Sequence, residues 1–329
     1  MASKPINIAA FPGMNNVSKA GIRTVLNMDA GADQFLTQRD GYALWLAMID
    51  PHSLVADSMS LFCAAVGTAS IESLWNISSQ GDKTEVCVIN GKGHPLSYIF
   101  TPDRVYISSR AWNGIYEYLT GVVRAWGAAY SDDPASLIDA TSSEPMMTLN
   151  VTGAPYMENL CMAGSRIFGS VGNRVYYNDP PFAFEMFRPD TFLEFDDDIV
   201  MIAKSAAGLY FASISKTWFG QGYEPSSMDM KEVGTGSLPG SLQYLPNFRG
   251  VNDVPIWTER TGIFAGVNGR CVPITEERLK FDAQGQAASL QRVQDGVQQY
   301  LTSFPQHSDV GFGDSTTCDV VRNGKLIYD

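Results

Sequence analysis

The second half of this chain repeats one short pattern three times, and this repeat limits the folds that the chain can adopt. Each copy is an apolar run, a two-residue turn and a second apolar run, which is the pattern of a β-hairpin. Side chains alternate between the two faces of a strand, so each copy predicts two paired strands with a buried face. The copies span Arg166–Tyr177, Gly208–Phe219 and Gly262–Ile274, with turns at Gly172-Asn173, Ser215-Lys216 and Asn268-Gly269.

The spacing of the three copies predicts a β-propeller. Ile167, Leu209 and Ile263 occupy equivalent positions 42 and 54 residues apart. This is close to the roughly 40–50 residues of one four-stranded blade. The hairpin patterns leave room for about six blades with irregular spacing. We therefore expect an all-β fold, an irregular β-propeller in a single domain over residues 1–329, with a β-sandwich or long meander as the alternative.

The hairpin patterns also predict which side chains form the core. The three hairpins should be inner or middle strands of successive blades, with their apolar members mostly buried. These members are Ile167, Phe168, Val175, Tyr177, Leu209, Phe211, Trp218, Ile263, Phe264 and Val272. A further hairpin is predicted between Thr84–Ile89 and Leu96–Phe100, because Asn90–Gly93 has the composition of a turn.

Two segments do not follow the hairpin pattern. The segment Lys280–Leu301 predicts one amphipathic helix near the carboxyl end, because its apolar residues recur at i, i+3 and i+7. These residues are Leu290, Val293, Val297, Tyr300 and Leu301. The second segment, residues 128–148, is rich in Ser, Asp, Pro and Ala and predicts a long loop.

The negative net charge argues against a protein that binds nucleic acid tightly. The chain has 35 acidic and 23 basic residues and a net charge of -12. Nucleic-acid-binding proteins usually present a basic stripe to the phosphates. An acidic surface can instead line a passage through which a polyanion slides without sticking, because like charges repel.

Cysteine usage and hydropathy indicate the compartment. The five cysteines are dispersed and form no C-x-x-C pair, so we expect free, buried thiols in a chain assembled in a reducing cytoplasm. Neither zinc nor a disulfide framework fits this spacing. The amino end has no apolar signal region, and no apolar run reaches 18 residues, so we expect neither classical secretion nor a membrane span.

No catalytic, cofactor or metal site is predicted. The three histidines His52, His94 and His307 lack the spacing of a metal site, and no nucleophile elbow or phosphate-binding loop occurs. The densest acidic run is Asp196-Asp197-Asp198. Its spacing is not that of a Ca²⁺ loop. A solvated loop between blades is favoured over a Ca²⁺ site or the carboxylate pair of a glycosidase.

Several short motifs occur in the same order as in a group of bacteriophage virion proteins. In that group a "PGxNN" start is followed by an "aVNvD" strand and an "RpGy" turn, and this chain has similar residues in its first 42 positions. Further motifs resemble the later blades of those proteins. The motifs are Phe11–Val17, Leu26–Asp29, Arg39–Tyr42, Asp103–Ile107, Gly114–Tyr116, Arg124–Gly127, Gly164–Phe168, Arg174–Asn178 and Glu276–Arg278.

This resemblance implies a non-enzymatic, structural component of a phage tail. Phage β-propeller proteins of this kind include the nozzle of short-tailed phages, where several copies surround the DNA exit channel. The resemblance thus implies assembly in the host cytoplasm, location in the virion, and contact with other tail or connector proteins. It leaves open a nozzle, a tail-tip component and a connector-like ring, because the chain has little room for a platform domain beside the propeller.

The resemblance and the charge together define candidate surfaces. We expect a homo-oligomeric, most simply sixfold, ring through which DNA passes during retention and ejection without specific binding. The candidate acidic lining is Asp196, Asp197, Asp198, Glu276 and Glu277, and the candidate subunit contacts are Phe11, Pro12, Met14, Asn15 and Val17. The alternative function is a carbohydrate-binding or glycan-degrading propeller for recognition of a host receptor.

Overall fold

The protein is described here by a computed structural model, and its chain forms two compact units. One unit is Ala43–Ile202, and the other combines Met1–Tyr42 with Ala203–Asp329. The structure describes residues 28–30, 36–38, 48–56, 61–67, 71–78, 81–89, 93–127, 152–275, 283–294, 297–304, 319–322 and 325–328.

The described residues confirm the all-β prediction. They form 26 β-strands and contain no α-helix, and one short 3-10 turn spans Pro225–Ser227. The first two strands, β1 Met28–Ala30 and β2 Leu36–Gln38, pair with each other. No helix among the described residues is long and apolar enough to cross a membrane.

The unit Ala43–Ile202 contains three four-stranded antiparallel sheets, each with its strands in chain order. An up-and-down sheet of four strands is the blade of a β-propeller. The first sheet is β3 His52–Ala56, β4 Leu61–Val66, β5 Glu72–Ile77 and β6 Lys83–Val88. The second is β7 Ser97–Phe100, β8 Arg104–Ser108, β9 Asn113–Glu117 and β10 Val122–Arg124. The third is β11 Glu158–Ala163, β12 Arg166–Val171, β13 Arg174–Asn178 and β14 Phe187–Glu194.

Apolar side chains pack between successive sheets of this unit. Phe62 of the first sheet lies 5.1 Å, centroid to centroid, from Tyr116 of the second, in edge-to-face geometry. Ile99 and Tyr106 of the second sheet share a buried cluster with Leu160 of the third. Each interface removes apolar surface from water, which is the main favourable term in folding. The three sheets therefore stack through their faces, as blades do.

The other unit contains the fourth and fifth sheets, which have the same strand order. The fourth is β15 Met201–Ser205, which crosses the limit between the units, β16 Gly208–Ala212, β17 Thr217–Gln221 and β18 Asp229–Gly234. The fifth is β19 Gln243–Phe248, β20 Val251–Glu259, β21 Gly262–Val267 and β22 Arg270–Pro273. Two hairpins follow, β23 Ala288–Gln294 with β24 Val297–Ser303, and β25 Asp319–Arg322 with β26 Lys325–Tyr328; β24 lies beside β25.

The predicted helix over residues 280–301 is wrong. Residues 280–282 and 295–296 lie outside the described part, and the described residues of this segment contain the antiparallel hairpin β23–β24. Leu290 and Val293, on the expected apolar face, are 57% and 60% exposed, whereas Tyr300 is fully buried. The physical reason is that Tyr300 packs and hydrogen-bonds against the fifth sheet. These tertiary contacts outweigh the local preference of the segment for a helix.

A buried cluster of hydroxyl groups attaches this hairpin to the fifth sheet. The Tyr300 hydroxyl donates to the Ser241 carbonyl at 2.7 Å and lies 2.9 Å from the Thr258 hydroxyl. Ser289 and Thr302 of the hairpin complete the cluster, with their hydroxyls 2.9 Å apart. Buried hydroxyls need such partners, since an unpaired one costs free energy.

We expect Tyr300→Phe to lower the free energy of unfolding by about 1–3 kcal/mol, because it leaves buried polar groups without a partner. Urea denaturation followed by circular dichroism measures the effect. Tyr156→Phe is the control, because Tyr156 is 54% exposed, and it should change stability by less than about 0.5 kcal/mol. Equal effects of the two substitutions would contradict the role of the cluster.

The three repeated hairpins are strand pairs β12–β13, β16–β17 and β21–β22. The first two are the middle strands of their sheets, and the third includes an edge strand, β22. Of the ten apolar members, six are buried: Ile167, Phe168, Val175, Leu209, Phe211 and Ile263. The other four, Tyr177, Trp218, Phe264 and Val272, are half-buried.

The predicted hairpin at Asn90–Gly93 is wrong in its pairing. Both flanking strands exist, but β6 is the last strand of the first sheet and β7 is the first strand of the second. Turn composition marks a break between strands and does not identify the partner of each strand. The loop prediction for residues 128–148 lies outside the described residues, and the single domain over 1–329 stays a prediction.

The cysteines of the described part are free thiols. Cys63 and Cys161 are buried, and Cys87 and Cys271 are half-buried. Burial raises the pKa of the Cys87 thiol to about 11 and that of Cys271 to about 12. These thiols stay protonated at neutral pH and behave as small apolar side chains.

Candidate functional site

The acidic run predicted to line a channel lies in the loop between β14 and β15. Asp196 and Asp198 are exposed, and Asp197 is half-buried. The residues on either side, Phe195 and Ile199, are buried. The sequence therefore folds into a loop whose two ends are buried and in which Asp196 and Asp198 are exposed.

Backbone hydrogen bonds hold this loop to the turn of the β12–β13 hairpin. The Phe195 amide donates to the Asn173 carbonyl, and the Ile199 amide donates to the Gly172 carbonyl, both at 2.9 Å. The Asn173 side-chain amide donates back to the Phe195 carbonyl at 2.9 Å. The turn dipeptide Gly172-Asn173 thus fixes the base of the acidic loop, on which Asp196 and Asp198 are exposed.

The remaining predicted site residues lie outside the described residues. This applies to the acidic pair Glu276 and Glu277 and to the subunit contacts Phe11, Pro12, Met14, Asn15 and Val17. Of the candidate lining, only the run Asp196–Asp198 is placed by the structure.

Three buried carboxyl groups that sequence patterns did not indicate are the main polar features inside the fold. They belong to Glu72, Glu185 and Glu259, which are 2%, 7% and 1% exposed. A buried charge is expensive unless it is paired, so the partners of each group show its role.

Glu185 connects the third sheet to the second. Its carboxylate accepts hydrogen bonds from Arg124 at 2.6 and 2.8 Å and from Arg104 at 2.9 Å. Arg124 also bonds Glu117 at 2.9 Å, and Asp103 pairs with Arg104. The hydrogen bonds to Glu185 raise the pKa of the Arg124 guanidinium, and Arg124 lowers the pKa of the Glu117 carboxyl. This network is a structural clasp between the second and third sheets.

Glu72 plays a similar part in the first sheet. One carboxylate oxygen lies 2.9 Å from Nε2 of His52, and the other accepts a hydrogen bond from the Gly93 amide at 2.6 Å. His52 is on β3, and Gly93 lies on the connection to the second sheet. His52, one of the three histidines of the sequence, thus lies beside a buried carboxylate.

Glu259, at the end of β20, has only neutral hydrogen-bond partners. Its carboxyl bonds the Thr235 hydroxyl and accepts a hydrogen bond from the Trp257 indole N–H at 3.2 Å. Burial raises the pKa of this carboxyl to about 7, although both hydrogen bonds act in the opposite direction.

These carboxyl groups bind partners within the fold, in different sheets, rather than converging on one point. A retaining glycosidase needs two carboxyls about 5 Å apart at an open site. Among the described residues, no three His, Cys, Asp or Glu side chains are grouped so that they could hold a metal ion. The Glu72 and Glu185 contacts hold neighbouring sheets together.

A local pattern could have indicated one of these groups. Glu259 follows the apolar run Val254–Trp257 and Thr258 on the strand β20. A charged residue is unusual among buried strand residues. Glu185 had no local indication, because its partners Arg104 and Arg124 lie 81 and 61 residues away along the chain.

Comparison with known proteins adds similar folds at low identity. No protein-family model matches this chain, and no curated protein is significantly similar to it. A protein from Lactobacillus plantarum is similar over 96% of this chain and 95% of its own, with 12% identity and a TM-score of 0.49. The BBS1N structure solved in complex with ARL6DN is similar over 84% of each chain, with 9% identity and a TM-score of 0.49.

A third similar structure is much longer than this chain. It is PorZ, a surface component of the type-IX secretion system of Porphyromonas gingivalis, with 14% identity and a TM-score of 0.44. The match covers 84% of this chain and 34% of PorZ, so this chain spans about a third of that protein. At these identities and TM-scores the likenesses carry no conclusion about function.

Proposed function

We propose that this protein is a structural, non-catalytic component of a bacteriophage tail. Copies of it form a ring around the path of the DNA, in the manner of a tail nozzle or hub, and contribute to DNA retention and ejection. The observation that carries the proposal is the ordered set of motifs shared with phage virion proteins, seen on a chain of blade-like sheets. The charge of -12 and the anchored acidic loop support it.

We further propose that the fold is an irregular propeller of about six blades. Five four-stranded sheets are complete within the described residues. The hairpins β23–β24 and β25–β26 would form the sixth blade in the order β23-β24-β25-β26. The position of β24 beside β25 and the hydroxyl cluster that attaches β23–β24 to the fifth sheet support this arrangement.

The acidic loop fits a surface past which DNA moves. Lys and Arg side chains bind phosphates by releasing counterions, and this would slow DNA that leaves a capsid. Carboxylates repel the phosphates instead. Asp196 and Asp198 are exposed to solvent, and the backbone hydrogen bonds of Phe195 and Ile199 hold the two ends of their loop.

Labelling and electron microscopy of purified virions test the assignment. We expect the protein at the tail, and size-exclusion chromatography with light scattering should show a closed oligomer, most simply a hexamer. Absence from the particle, or a position on the capsid surface, would refute the tail assignment. Glycan binding or polysaccharide cleavage by the purified protein would favour the alternative, a carbohydrate-directed propeller.

The charge of the loop is testable by reversal. The triple variant with Asp196, Asp197 and Asp198 changed to Lys should bind duplex DNA. The slope of log K against log salt should grow by up to about 1 per new phosphate contact. The matched control changes three exposed acidic residues elsewhere to Lys, so its net charge changes by the same amount. These residues are Asp190, Asp229 and Glu232. If both variants bind DNA alike, the loop has no special relation to the DNA path.

A further inference from the structure

Glu259 lies where the fourth and fifth sheets meet. Its carboxyl bonds Thr235, the residue after β18, while Glu259 itself ends β20 of the next sheet. Trp257, fully buried two residues earlier, donates its indole N–H to both Glu259 and the Gly236 carbonyl, at 3.2 and 3.1 Å. One carboxyl group thus takes part in the contact between two sheets.

Strands β18 and β22, of the fourth and fifth sheets, approach each other closely near this carboxyl. Strand β18 lies beside β22, and a Cβ added at Gly234 would be 2.7 Å from the Cys271 sulfur. Glu259 itself is 1% exposed, so its carboxyl has little access to bulk water. A carboxylate formed here would lose its hydration and gain only two neutral hydrogen bonds in return.

The charged groups on the surrounding described elements are distinct from the hydrogen-bond partners of Glu259, which are Thr235 and Trp257. On β18 these are Asp229, Lys231 and Glu232, and on the β20–β21 turn and β22 they are Arg260 and Arg270; all are exposed. Lys231 pairs with Asp229 at 3.0 Å. Burial raises the pKa of the Cys271 thiol, and a negative charge on Glu259 adds a smaller contribution in the same direction.

We propose that Glu259 is a proton-controlled latch between the fourth and fifth sheets. The contact is strongest while the carboxyl is protonated, because a neutral carboxylic acid can be buried beside Thr235 and Trp257 at a lower cost than a carboxylate. Ionisation places an unpaired charge in that contact and weakens it. This inference goes beyond the proposed tail function and does not depend on it.

The direction of the pH effect follows from linkage. In the unfolded chain this carboxyl ionises near pH 4.5, and in the folded protein near pH 7. Between these values only the folded state keeps the proton, so stability falls as pH rises. The contribution is fully present below about pH 4.5 and lost above about pH 7.

Carboxyl ¹³C NMR of glutamate-labelled protein tests the latch directly. We expect one carboxyl to titrate near pH 7 in the wild type and to be missing from Glu259→Gln. Removing the Thr235 hydroxyl with Thr235→Val should move the midpoint upward, since that hydroxyl favours the ionised form. A Glu259 midpoint near 4.5 would overturn the proposal, and this wild-type measurement decides even if a variant fails to fold.

Equilibrium unfolding provides the second test. Between pH 4.5 and 7 the unfolding constant of the wild type should rise about tenfold per pH unit relative to Glu259→Gln. Glu232→Gln on the exposed side of β18 is the matched control and should follow the wild type. Hydrogen exchange of β18 and β22, corrected for intrinsic rates, should show less protection at pH 8 than at pH 6 only when Glu259 is present. Equal pH profiles for wild type and Glu259→Gln would refute the latch.

Discussion

Replacing Glu185 by alanine should lower the free energy of unfolding of the unit Ala43–Ile202 by about 3 kcal/mol. The substitution removes three hydrogen bonds from Arg104 and Arg124 and leaves two guanidinium groups facing each other. Both arginines are about one-third exposed, so solvent screens part of the loss, and the value lies at the low end for a buried pair. Denaturant unfolding measures the change, and hydrogen exchange of β8 and β10 locates it.

A surface ion pair of the same unit is the matched control. Glu194 pairs with Arg174 at 3.0 Å, but the two side chains are 56% and 44% exposed. Exposed pairs contribute little, so Glu194→Ala should cost less than about 1 kcal/mol. High salt should reduce that small effect more than the effect of Glu185→Ala, since partly buried pairs are screened less. If the two substitutions cost the same, Glu185 is not a clasp between sheets.

Replacing Gly208 by alanine should destabilise the fourth sheet by roughly 3 kcal/mol or more. Gly208 starts β16 with φ of +158°, and an added Cβ would lie 2.0 Å from the Gly220 carbonyl oxygen and 2.9 Å from the Gly222 nitrogen. These are backbone atoms next to the paired residue Gln221, so they cannot move aside without breaking the β16–β17 ladder. We expect reduced soluble yield and a lower midpoint of thermal unfolding.

Gly222, just after β17, separates the effect of the clash from that of backbone conformation. It also has a positive φ, +83°, but an added Cβ would meet nothing within 4 Å. Gly222→Ala should therefore cost only the left-handed conformation, about 1–2 kcal/mol. A Gly208→Ala protein as stable as Gly222→Ala would show that the β16–β17 contact adapts to a side chain.

The candidate site was only partly predictable from the sequence. The acidic run Asp196–Asp198 is visible in the sequence itself, and its place in a loop between strands was predicted correctly. Its rigidity was not predictable, because the hydrogen bonds come from Gly172 and Asn173, in a hairpin turn more than 20 residues earlier. The clasp at Glu185 and the latch at Glu259 depend in the same way on residues distant in the chain.

The local chemistry of the sequence determined the all-β class and the repeated hairpins. Alternating apolar residues around Gly172-Asn173 and Asn268-Gly269 correspond to β12–β13 and β21–β22, because pleat and turn depend on neighbouring residues alone. The sequence of the segment that forms β23–β24 also contains a dipeptide typical of turns, Asp295-Gly296, between the paired residues Gln294 and Val297. The apolar residues of this segment also have helical spacing, and that spacing led to the prediction of a helix.

Only the tertiary structure decided between helix and hairpin in that segment. Glutamine-rich sequence favours a helix locally, but a helix would not hold Ser289, Tyr300 and Thr302 in one buried hydroxyl cluster. Their partner Thr258 lies on β20, and Ser241 precedes β19, both more than 40 residues from Tyr300. Tertiary contacts likewise assigned β6 and β7 to different sheets. Which strands pair, and which carboxyls are buried, depends on contacts between residues far apart in the chain, which local patterns do not contain.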